Sequence, residues 1–418
     1  MTLAVMADYA DPAALGRRLA DYVVLAVSPD VPQIAADYWA ASEASYLGLR
    51  DLVATAVAGD RAAAAAYLDL LREPASADRI RALRAELTRL AAGDPGWAVA
   101  AARQVGEADE RIWIDHWLGD VAADAAEVDF AALPVPARTA GPDSGRTRLE
   151  VIIPFRDSAR GQRLRNLIAC LRALADQDPV DALVRVTVIE ADAADRSRAD
   201  LAPLADRYLH VYKDGLFNKS WVVNVGLRDA QRYPTAHPRR LVCVLDADTL
   251  VERAFLSRNL ARFDAPGHRA HLTFRWSLSM DDAATRYAIR RRVADLAPSV
   301  ETGSLRGLLL REPTGGAMWV EAWLLHGIGG FDERFEGWGG EDDDVTKRIA
   351  QHAPLVRFDD TLLHLNHPRP DMTRADGTAH NAHLLSNHLG GDGWTGAGGY
   401  GDPDRFSVAA AAMREAAL

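Results

Sequence analysis

The chain has 418 residues, of which 49% are hydrophobic and 26% charged, the composition of a folded protein with room for two or three domains. Acidic residues outnumber basic ones 59 to 48, and the formal net charge of −11 argues against nucleic acid or an anionic membrane as the main partner. No apolar run reaches the length of a membrane-spanning helix, the N-terminus lacks the order of a signal peptide, and both cysteines lie in apolar segments. We therefore expect a cytoplasmic protein without disulfides.

Residues 1–132 predict an all-helical accessory domain. They are rich in alanine, and apolar residues recur at helical spacing, as in Asp78–Leu90. Capping and breaking signals divide the region into about five helices, and no strand pattern occurs in it. The aromatic segment Trp113–Trp117 fits buried packing better than a docking surface. Acceptor docking or self-association into a homo-oligomer is the role we expect for this domain.

A linker dense in proline and glycine, residues 133–147, is followed by alternating strand and helix patterns over residues 148–390. The predicted strands include Arg148–Phe155, Val184–Asp192 and Arg239–Asp248. Apolar strands joined by amphipathic helices predict an open α/β sheet with helices on both faces. Residues 391–418 predict a glycine-rich segment and a short closing helix.

Two polar residues end each predicted strand: Arg156 and Asp157, then Glu190 and Asp192, then Asp246 and Asp248. Ligands of open α/β sheets bind beyond these carboxyl ends, so the residues mark a candidate site. The two aspartates are spaced to reach one Mg²⁺ or Mn²⁺ ion. Two alternatives remain: simple capping of the strand end, and a phosphatase with Asp246 as nucleophile. The phosphatase motif usually has Thr or Val where this chain has Leu250.

The segment HLNHPR offers two imidazoles, His364 and His367, which are suitable ligands for Mn²⁺ or Zn²⁺. A pair of surface histidines is the alternative. Three further histidines, His380, His383 and His388, have no interpretable spacing and are expected at the surface.

The stretch FEGWGGEDDD, Phe335–Asp344, places four carboxylates beside a tryptophan and three glycines. Alone, such a run favours a solvated turn, because neighbouring acids repel one another unless water, a cation or hydroxyl groups offset the repulsion.

Four segments in one order resemble the β-1,4-galactosyltransferase family and its bacterial chondroitin-polymerase relatives. They are PFRD (Pro154–Asp157), FNKSWVVNVG (Phe217–Gly226), LDAD (Leu245–Asp248) and GGFDERFEGWGGEDDD (Gly329–Asp344). The resemblance covers roughly residues 148–370 and implies a GT-A fold, a Rossmann-like mixed sheet with helices on both faces. It also implies an inverting, metal-dependent enzyme that transfers a hexose or N-acetylhexosamine from a UDP-sugar to a hydroxyl of a glycan, natural product or peptide.

The resemblance assigns roles by position. Residues expected to bind the nucleotide sugar are Pro154, Phe155, Arg156, Glu190, Phe217, Lys219, Asp246 and Trp338. The metal ligands, for Mn²⁺ or alternatively Mg²⁺, are expected to be Asp248, His364 and His367. Asp342 takes the place of the general base, which accepts the proton of the attacking hydroxyl. Glu341, Asp343 and Trp338 are expected to contact the acceptor. Asp344 has no assigned role beyond capping the following helix.

Three departures from the family pattern bear on specificity. Asp157 and Ser158 replace an Asn-Arg pair, so one cation near the phosphates is either missing or supplied by Arg160. A histidine replaces the family's methionine ligand, and Pro313–Thr314 replaces an aromatic pair that restricts the C2 substituent of the sugar. An N-acetyl group is therefore admissible. The alternative function is a catalytically silent carbohydrate-binding or scaffold protein on the same fold.

Overall fold

The computed structural model describes residues 9–34, 36–119, 125–137, 141, 143–158, 161–233, 236–385 and 393–407. The chain divides into two compact units. The first is Met1–Asp124 with Trp276–Ala284 and Glu301–Pro313, and the second is Ala125–Arg275 with Thr285–Val300 and Thr314–Leu418. The domain boundaries expected at residues 132 and 147 stay predictions.

The helices of the described residues are α1 (Pro12–Val27), α2 (Val31–Ile34), α3 (Ala36–Val57), α4 (Arg61–Arg72), α5 (Ala77–Gly93), α6 (Pro95–Asp109), α7 (Gln162–Ala175), α8 (Arg198–Leu201), α9 (Lys219–Gln231), α10 (Phe255–Arg262), α11 (Asp282–Ile289), α12 (Ala322–Gly327), α13 (Glu341–Ala350) and α14 (Ala382–Leu385). The strands are β1 (Ile114–Leu118), β2 (Thr147–Phe155), β3 (Leu183–Asp192), β4 (Arg207–Tyr212), β5 (Arg239–Leu245), β6 (Thr249–Leu250), β7 (Ala270–Met280), β8 (Arg306–Arg311), β9 (Ala317–Glu321) and β10 (Leu355–His364).

The first unit is built around α1, which packs against α3 and α5. The side chains of Asp11, Asp60 and Ser76 accept hydrogen bonds from backbone N–H groups in the first turns of α1, α4 and α5, so these helices begin where their caps lie. A Cβ at Gly16 would lie 2.6 Å from the backbone nitrogen of Thr88, which shows how closely α1 and α5 approach. The helical N-terminal region predicted from the sequence is confirmed.

One strand in this region contradicts the expectation that the first 132 residues contain none. β1 pairs antiparallel with β8, with Ile114 opposite Leu310 and Leu118 opposite Arg306. The partner strand lies far along the chain, so local spacing could not reveal the pairing. Of the WIDHW segment, Ile114 is fully buried, whereas Trp113 is 39% exposed.

The second unit contains a mixed sheet in the order β4-β3-β2-β5-β9-β7. The strands β2, β3, β4 and β5 run parallel, and β9 is antiparallel to β5 and to the start of β7. Every residue of β2 is buried, as expected for a central strand that is covered on both faces. The predicted α/β fold, a Rossmann-like mixed sheet preceded in the sequence by a helical region, is confirmed.

The strand order reverses at β2, whose neighbours are β3 on one side and β5 on the other. Loops that leave the carboxyl ends of β2 and β5 therefore diverge to opposite faces of the sheet, and the gap between them is where such sheets bind ligands. The short strand β6 follows β5 and pairs antiparallel with the end of β10, His364 opposite Thr249.

The glycine-rich C-terminal segment is anchored where it is described. Nε1 of Trp394 donates to the carbonyl of Gly329 at 2.7 Å, and the backbone N–H of Gly401 donates to Glu333 at 2.6 Å. The predicted closing helix lies mostly outside the described residues. Among the described helices, none has the length and apolar character needed to cross a bilayer.

Candidate active site

Two backbone hydrogen bonds fix the bend after β5, which contains Asp246 and Asp248. The N–H of Asp246 donates to the carbonyl of Gly316 at 2.9 Å, and the N–H of Leu365 donates to the carbonyl of Asp248 at 2.8 Å. The second contact brings the turn after β10 against Asp248. That turn is fixed to α7, because Nδ2 of the fully buried Asn166 donates to the carbonyl of Asn366 at 3.1 Å.

Asp248, His364 and His367 form a cluster whose potential ligand atoms all lie within 4.8 Å of one another. Oδ2 of Asp248 lies 2.8 Å from Nε2 of His367, and Oδ1 lies 3.5 Å from Nε2 of His364. Oδ1 of Asp248, Nδ1 of His364 and Nε2 of His367 are buried without a well-aligned hydrogen bond. Buried polar atoms are rarely left in this state, so the cluster fits a bound cation.

The protonation states of the cluster suit metal binding. Burial lowers the pKa of His364 to about 3, so its imidazole is neutral. Burial alone would raise the pKa of Asp248, but the guanidinium of Arg163, 3.8 Å away, favours the charged carboxylate, and the pKa is lowered from its usual value. Nδ1 of His367 lies 2.8 Å from the carbonyl of Pro368, which as a hydrogen bond places the proton on Nδ1 and leaves the lone pair of Nε2 available to a cation.

Two arginines that the sequence analysis missed lie beside this cluster. Nη1 of Arg163, in the first turn of α7, is 3.8 Å from Oδ2 of Asp248. The charge of Asp248 also acts on Arg369, whose pKa is lowered by burial and by the positive charge of Arg163. The signal was present in the sequence, since Arg369 ends HLNHPR. Arg160, the cation expected there, lies outside the described residues.

We call the metal cluster and its neighbouring arginine Arg163 the cationic half of the site. The acidic half consists of Asp246, Glu341 and Asp342, whose carboxylates surround Lys219. Its Nζ is 2.8 Å from Oδ1 of Asp246, 2.8 Å from Oδ2 of Asp342 and 3.9 Å from Oε1 of Glu341. Burial would lower the pKa of Lys219, but the three carboxylates raise it well above its usual value. The pKa of Glu341 rises to about 7 because the carboxyl is buried and close to Asp342. The lysine expected at a phosphate is therefore paired with acids in this structure.

Gly315 makes this arrangement possible. A Cβ at this position would lie 2.3 Å from Oδ2 of Asp342 and 3.7 Å from Oδ2 of Asp246. Only a glycine leaves the carboxylate of Asp342 where it now lies. The adjacent Thr314, one of the positions expected to govern the sugar's C2 group, donates its hydroxyl to Oδ1 of Asp343 at 2.7 Å.

The four acids occupy the first turn of α13, where the helix dipole favours negative charge. The default expectation that Asp344 caps this helix is wrong, because the helix begins at Glu341 and its N-cap is Gly340. Asp344 is buried and pairs with Arg348 one turn later, Nε to Oδ2 at 2.8 Å. Arg348 also donates to the carbonyl of Gly330 at 2.7 Å, so Asp344 anchors the helix.

The Trp338 loop has glycines with positive φ at positions 337, 339 and 340, a conformation that side chains other than glycine rarely adopt. The N–H of Gly337 donates to the carbonyl of Phe217 at 2.8 Å, and Nδ2 of Asn381 donates to the carbonyl of Gly339 at 2.8 Å. His380, expected at the surface, is buried instead because its ring lies against the α-carbon side of Gly337.

The residues predicted to bind the nucleotide sugar differ in their surroundings: Arg156 contacts backbone carbonyls and Phe217, whereas Pro154, Phe155 and Glu190 are buried. Arg156 donates to the carbonyls of Ala191, Lys213 and Gly215 at 2.5–2.7 Å, and its guanidinium lies 5.3 Å from the ring centroid of Phe217. It therefore shapes the loop that presents Phe217. Pro154 and Phe155 are buried in β2. Glu190 is fully buried and accepts from the Ser197 hydroxyl at 2.8 Å and from Tyr208.

Residues 309–368 match the family described as the N-terminal domain of galactosyltransferase. Over these residues the chain resembles that family. The matched segment includes the loop glycines, all four acids of α13 and the histidine pair, so the resemblance predicted from the motifs is confirmed, and with it the glycosyltransferase class. A comparison with curated proteins found no match.

Solved structures with detectable similarity include glycosyltransferases. A mutant of Drosophila β-1,4-galactosyltransferase 7, in complex with manganese, UDP-Gal and xylobiose, is 15% identical over 58% of this chain and 79% of that chain, with a TM-score of 0.34. S. aureus TarS is 14% identical over 52% and 37%, with a TM-score of 0.34. GalNAc-T7 with UDP, GalNAc and Mn²⁺ is 12% identical over 54% and 45%, with a TM-score of 0.36. At TM-scores this low, the likenesses say nothing about the chemistry of this chain.

Proposed function

We propose that this galactosyltransferase-like protein moves a hexose or N-acetylhexosamine from a UDP-sugar to an acceptor hydroxyl with inversion, forming a β-glycoside. The observation that carries the proposal is the division of one site into a cationic half and an acidic half. The first contains Asp248, His364 and His367. The second contains Asp342 within 2.8 Å of Lys219, which also binds Asp246, two residues before Asp248.

The cationic half suits a diphosphate leaving group. Asp248, His364 and His367 would hold Mn²⁺, and when bound this ion would offset negative charge that develops on the diphosphate. The loop shaped by Arg156 presents Phe217, whose aromatic face suits a uracil ring. The Trp338 loop, hydrogen-bonded to the carbonyl of Phe217, would cover the bound nucleotide sugar.

The acidic half suits hydroxyl groups. Asp342 accepts the proton of the acceptor hydroxyl as its oxygen attacks the anomeric carbon, while the bond to the diphosphate breaks. Attack opposite the leaving group converts an α-linked donor into a β-glycoside. Glu341 and Asp343 bind acceptor hydroxyls, and Lys219 fixes the orientation of the Asp342 carboxylate before the acceptor arrives.

The experiment is a donor panel. Purified protein is incubated with UDP-galactose, UDP-glucose, UDP-N-acetylglucosamine or UDP-N-acetylgalactosamine, with and without MnCl₂, and with simple glycosides as acceptors. We expect metal-dependent release of UDP, and a product whose anomeric proton signals show the β configuration. Absence of UDP release with every donor, together with absence of thermal stabilisation by Mn²⁺ and UDP, would refute the proposal.

One observation favours the second candidate, a catalytically silent carbohydrate-binding protein. Both oxygens of Asp342 face Nζ of Lys219, at 2.8 and 3.1 Å, so the ammonium occupies the position from which an acceptor hydroxyl would have to approach this carboxylate. A silent protein would bind UDP-sugar and release no UDP.

A further inference from the structure

Glu333 is a buried carboxylate that has no role in the proposed mechanism. Its Oε1 accepts from Nδ2 of Asn224 at 2.9 Å and from the backbone N–H of Gly401 at 2.6 Å, and its Oε2 pairs with Arg405. A buried carboxylate is costly to the fold unless it is paired and hydrogen-bonded, and these partners meet that condition. Glu333 therefore joins α9, which contains Asn224, to the C-terminal segment, residues 394–407.

The backbone of Glu333 is bound to the start of α9, where two proposed site residues lie. Nδ2 of the fully buried Asn218 donates to the carbonyl of Glu333 at 2.8 Å, while Oδ1 of Asn218 caps the first turn of α9. In the chain, Asn218 lies between Phe217, proposed to face the uracil ring, and Lys219. A shift of the Glu333 backbone would therefore displace Phe217 and Lys219 together.

The turn that contains Glu333, residues 328–333, also supports α13. Nη1 of Arg348, in the last turn of that helix, donates to the carbonyls of Ile328 and Gly330 at 3.0 and 2.7 Å. The first turn of the same helix carries Asp342. The two helices that bring the base and the lysine together are thus fastened to one turn.

The C-terminal segment is bound both to this turn and to α9. Nε1 of Trp394 donates to the carbonyl of Gly329 at 2.7 Å. On the side of α9, Nε1 of the fully buried Trp221 donates to the carbonyl of Asp402 at 2.7 Å, and the Trp221 ring meets Phe406 edge-on with 4.8 Å between the ring centroids. The segment therefore holds the turn and the helix against each other.

We infer that Glu333 is a positioning residue for the transfer reaction and that the C-terminal segment is part of the framework of the active site. Through the turn and the two helices, Glu333 keeps Asp342 at the distance from Lys219 that the structure shows, 2.8 Å. The C-terminal segment lies outside residues 309–368, so the family match does not imply this role. The inference rests on the proposed function, since it takes Asp342 as the base and Phe217 as part of the nucleotide pocket.

The metal cluster has separate supports. The carbonyl of Asp248 accepts from the N–H of Leu365, and the turn after β10 is bound to Asn166 of α7. A change at Glu333 should therefore lower kcat and leave Mn²⁺ binding unchanged. A residue that only stabilises the fold would lower the melting temperature and leave the kcat of the folded protein unchanged.

The test compares Glu333→Gln and Arg405→Gln with the unmodified full chain, by UDP release from the best donor of the panel, with kcat and KM measured separately. Glu333→Gln keeps the size of the side chain and removes its ion pair. Arg405→Gln removes the same pair from its solvent side, where the Arg405 side chain is 34% exposed, and it decides the matter if the first variant does not fold.

Misplacement of a catalytic group by about 1 Å costs on the order of 100-fold in rate, and a partial shift costs less. We therefore expect kcat to fall on the order of tenfold in Glu333→Gln and several-fold in Arg405→Gln, with unchanged thermal stabilisation by Mn²⁺. Arg405→Lys keeps the charge and should recover most of the lost kcat.

Glu150→Gln is the matched control. Glu150 is also a buried carboxylate paired with arginines, since it accepts from Nε of Arg148 at 2.6 Å and from Nε of Arg185 at 2.8 Å. It lies in the first half of β2, away from the carboxyl ends of the parallel strands. This variant should have a lower melting temperature and the kcat of the unmodified protein.

Three outcomes decide the matter. A lower kcat in both glutamine variants of the Glu333–Arg405 pair, recovered by lysine and absent from Glu150→Gln, supports the inference. Full kcat in the folded Glu333→Gln or Arg405→Gln protein, an equal loss of kcat in Glu150→Gln, or loss of the stabilisation by Mn²⁺ overturns the inference and leaves the proposed function standing. Absence of UDP release by the unmodified protein overturns the proposed function, and the inference falls with it.

Discussion

Replacement of Gly315 by alanine tests the position of Asp342 without altering the carboxylate itself. The new Cβ would lie 2.3 Å from Oδ2 of Asp342, whereas ordinary contacts begin at 3.4 Å, so the carboxylate must move by about 1 Å. The φ angle of Gly315 is not in the left-handed region, and the atom that must yield is the end of a side chain, so the backbone accepts the change. Because catalytic groups displaced by about 1 Å lose on the order of 100-fold in rate, we expect kcat to fall by that factor, about 2.7 kcal/mol of transition-state stabilisation.

The assay is metal-dependent UDP release from the best donor of the panel, with kcat and KM for that donor measured separately. Gly303→Ala is the matched control, since a Cβ there has no heavy atom within 4 Å. Melting temperatures of both variants should stay near that of the unmodified protein. If Gly315→Ala is folded and retains the full kcat, then the present position of the Asp342 carboxylate does not matter for the reaction, and its assignment as the base is wrong.

Three further changes follow from the same site. Asp248→Asn should abolish the thermal stabilisation by Mn²⁺, which for a site filled at 100 times its Kd is about 2.7 kcal/mol, and a variant that is still stabilised would exclude Asp248 as a ligand. The pKa of Glu341 is raised from 4.5 to about 7, so between these values the folded chain keeps a proton that the unfolded chain releases, and stability must fall as pH rises through this window. Urea unfolding should show that the free energy of unfolding is smaller above pH 7 than below pH 4.5, by on the order of 2 kcal/mol. In Glu341→Gln this difference should disappear, and an unchanged pH dependence in that variant would contradict the assignment. Arg156→Met loses three hydrogen bonds to backbone carbonyls, which should lower the free energy of unfolding by about 3 kcal/mol. The variant should also bind UDP more weakly, and an unchanged UDP affinity would show that Arg156 does not contribute to the nucleotide pocket.

The parts of the site that the sequence predicted are those held by short-range patterns. An apolar strand that is followed by Asp-x-Asp places these carboxylates at the carboxyl end of the sheet's parallel strands, and β5 does so. The proximity of Asp248 to His364 and His367, more than 100 residues along the chain, followed only from the order of the family motifs, since no periodicity links them. The α/β fold and the helical N-terminal region were predictable from strand and helix periods alone.

Features that depend on packing between distant segments were not predictable. β1 forms by pairing with β8, and the sequence of this five-residue segment alone does not predict a strand. His380 is buried because the Trp338 loop folds against it, which a count of histidine spacing cannot show. Arg163 lies in an amphipathic helix where an arginine looks like ordinary surface, and its role depends on the direction in which α7 leaves β2.

The pairing of Lys219 with carboxylates in the acidic half of the site was also not predictable from the sequence. A lysine after an aromatic residue and an asparagine suggested a phosphate contact, yet the ammonium of Lys219 lies among three carboxylates. Opposite charges brought together in a buried site pair with each other when no ligand separates them. The sequence identifies the charged groups, and the packing decides which of them meet.

Asp342→Asn shows whether Asp342 removes the acceptor proton in a site that also binds metal and nucleotide. The measurement is UDP release under saturating donor and MnCl₂, together with UDP-sugar binding by titration calorimetry. We expect the variant to bind metal and UDP-sugar while turnover falls by a factor of about 100 or more, in the range that general-base groups contribute. An asparagine variant that turns over at the unmodified rate would contradict the account, as would an unmodified protein that binds UDP-sugar and Mn²⁺ and never releases UDP.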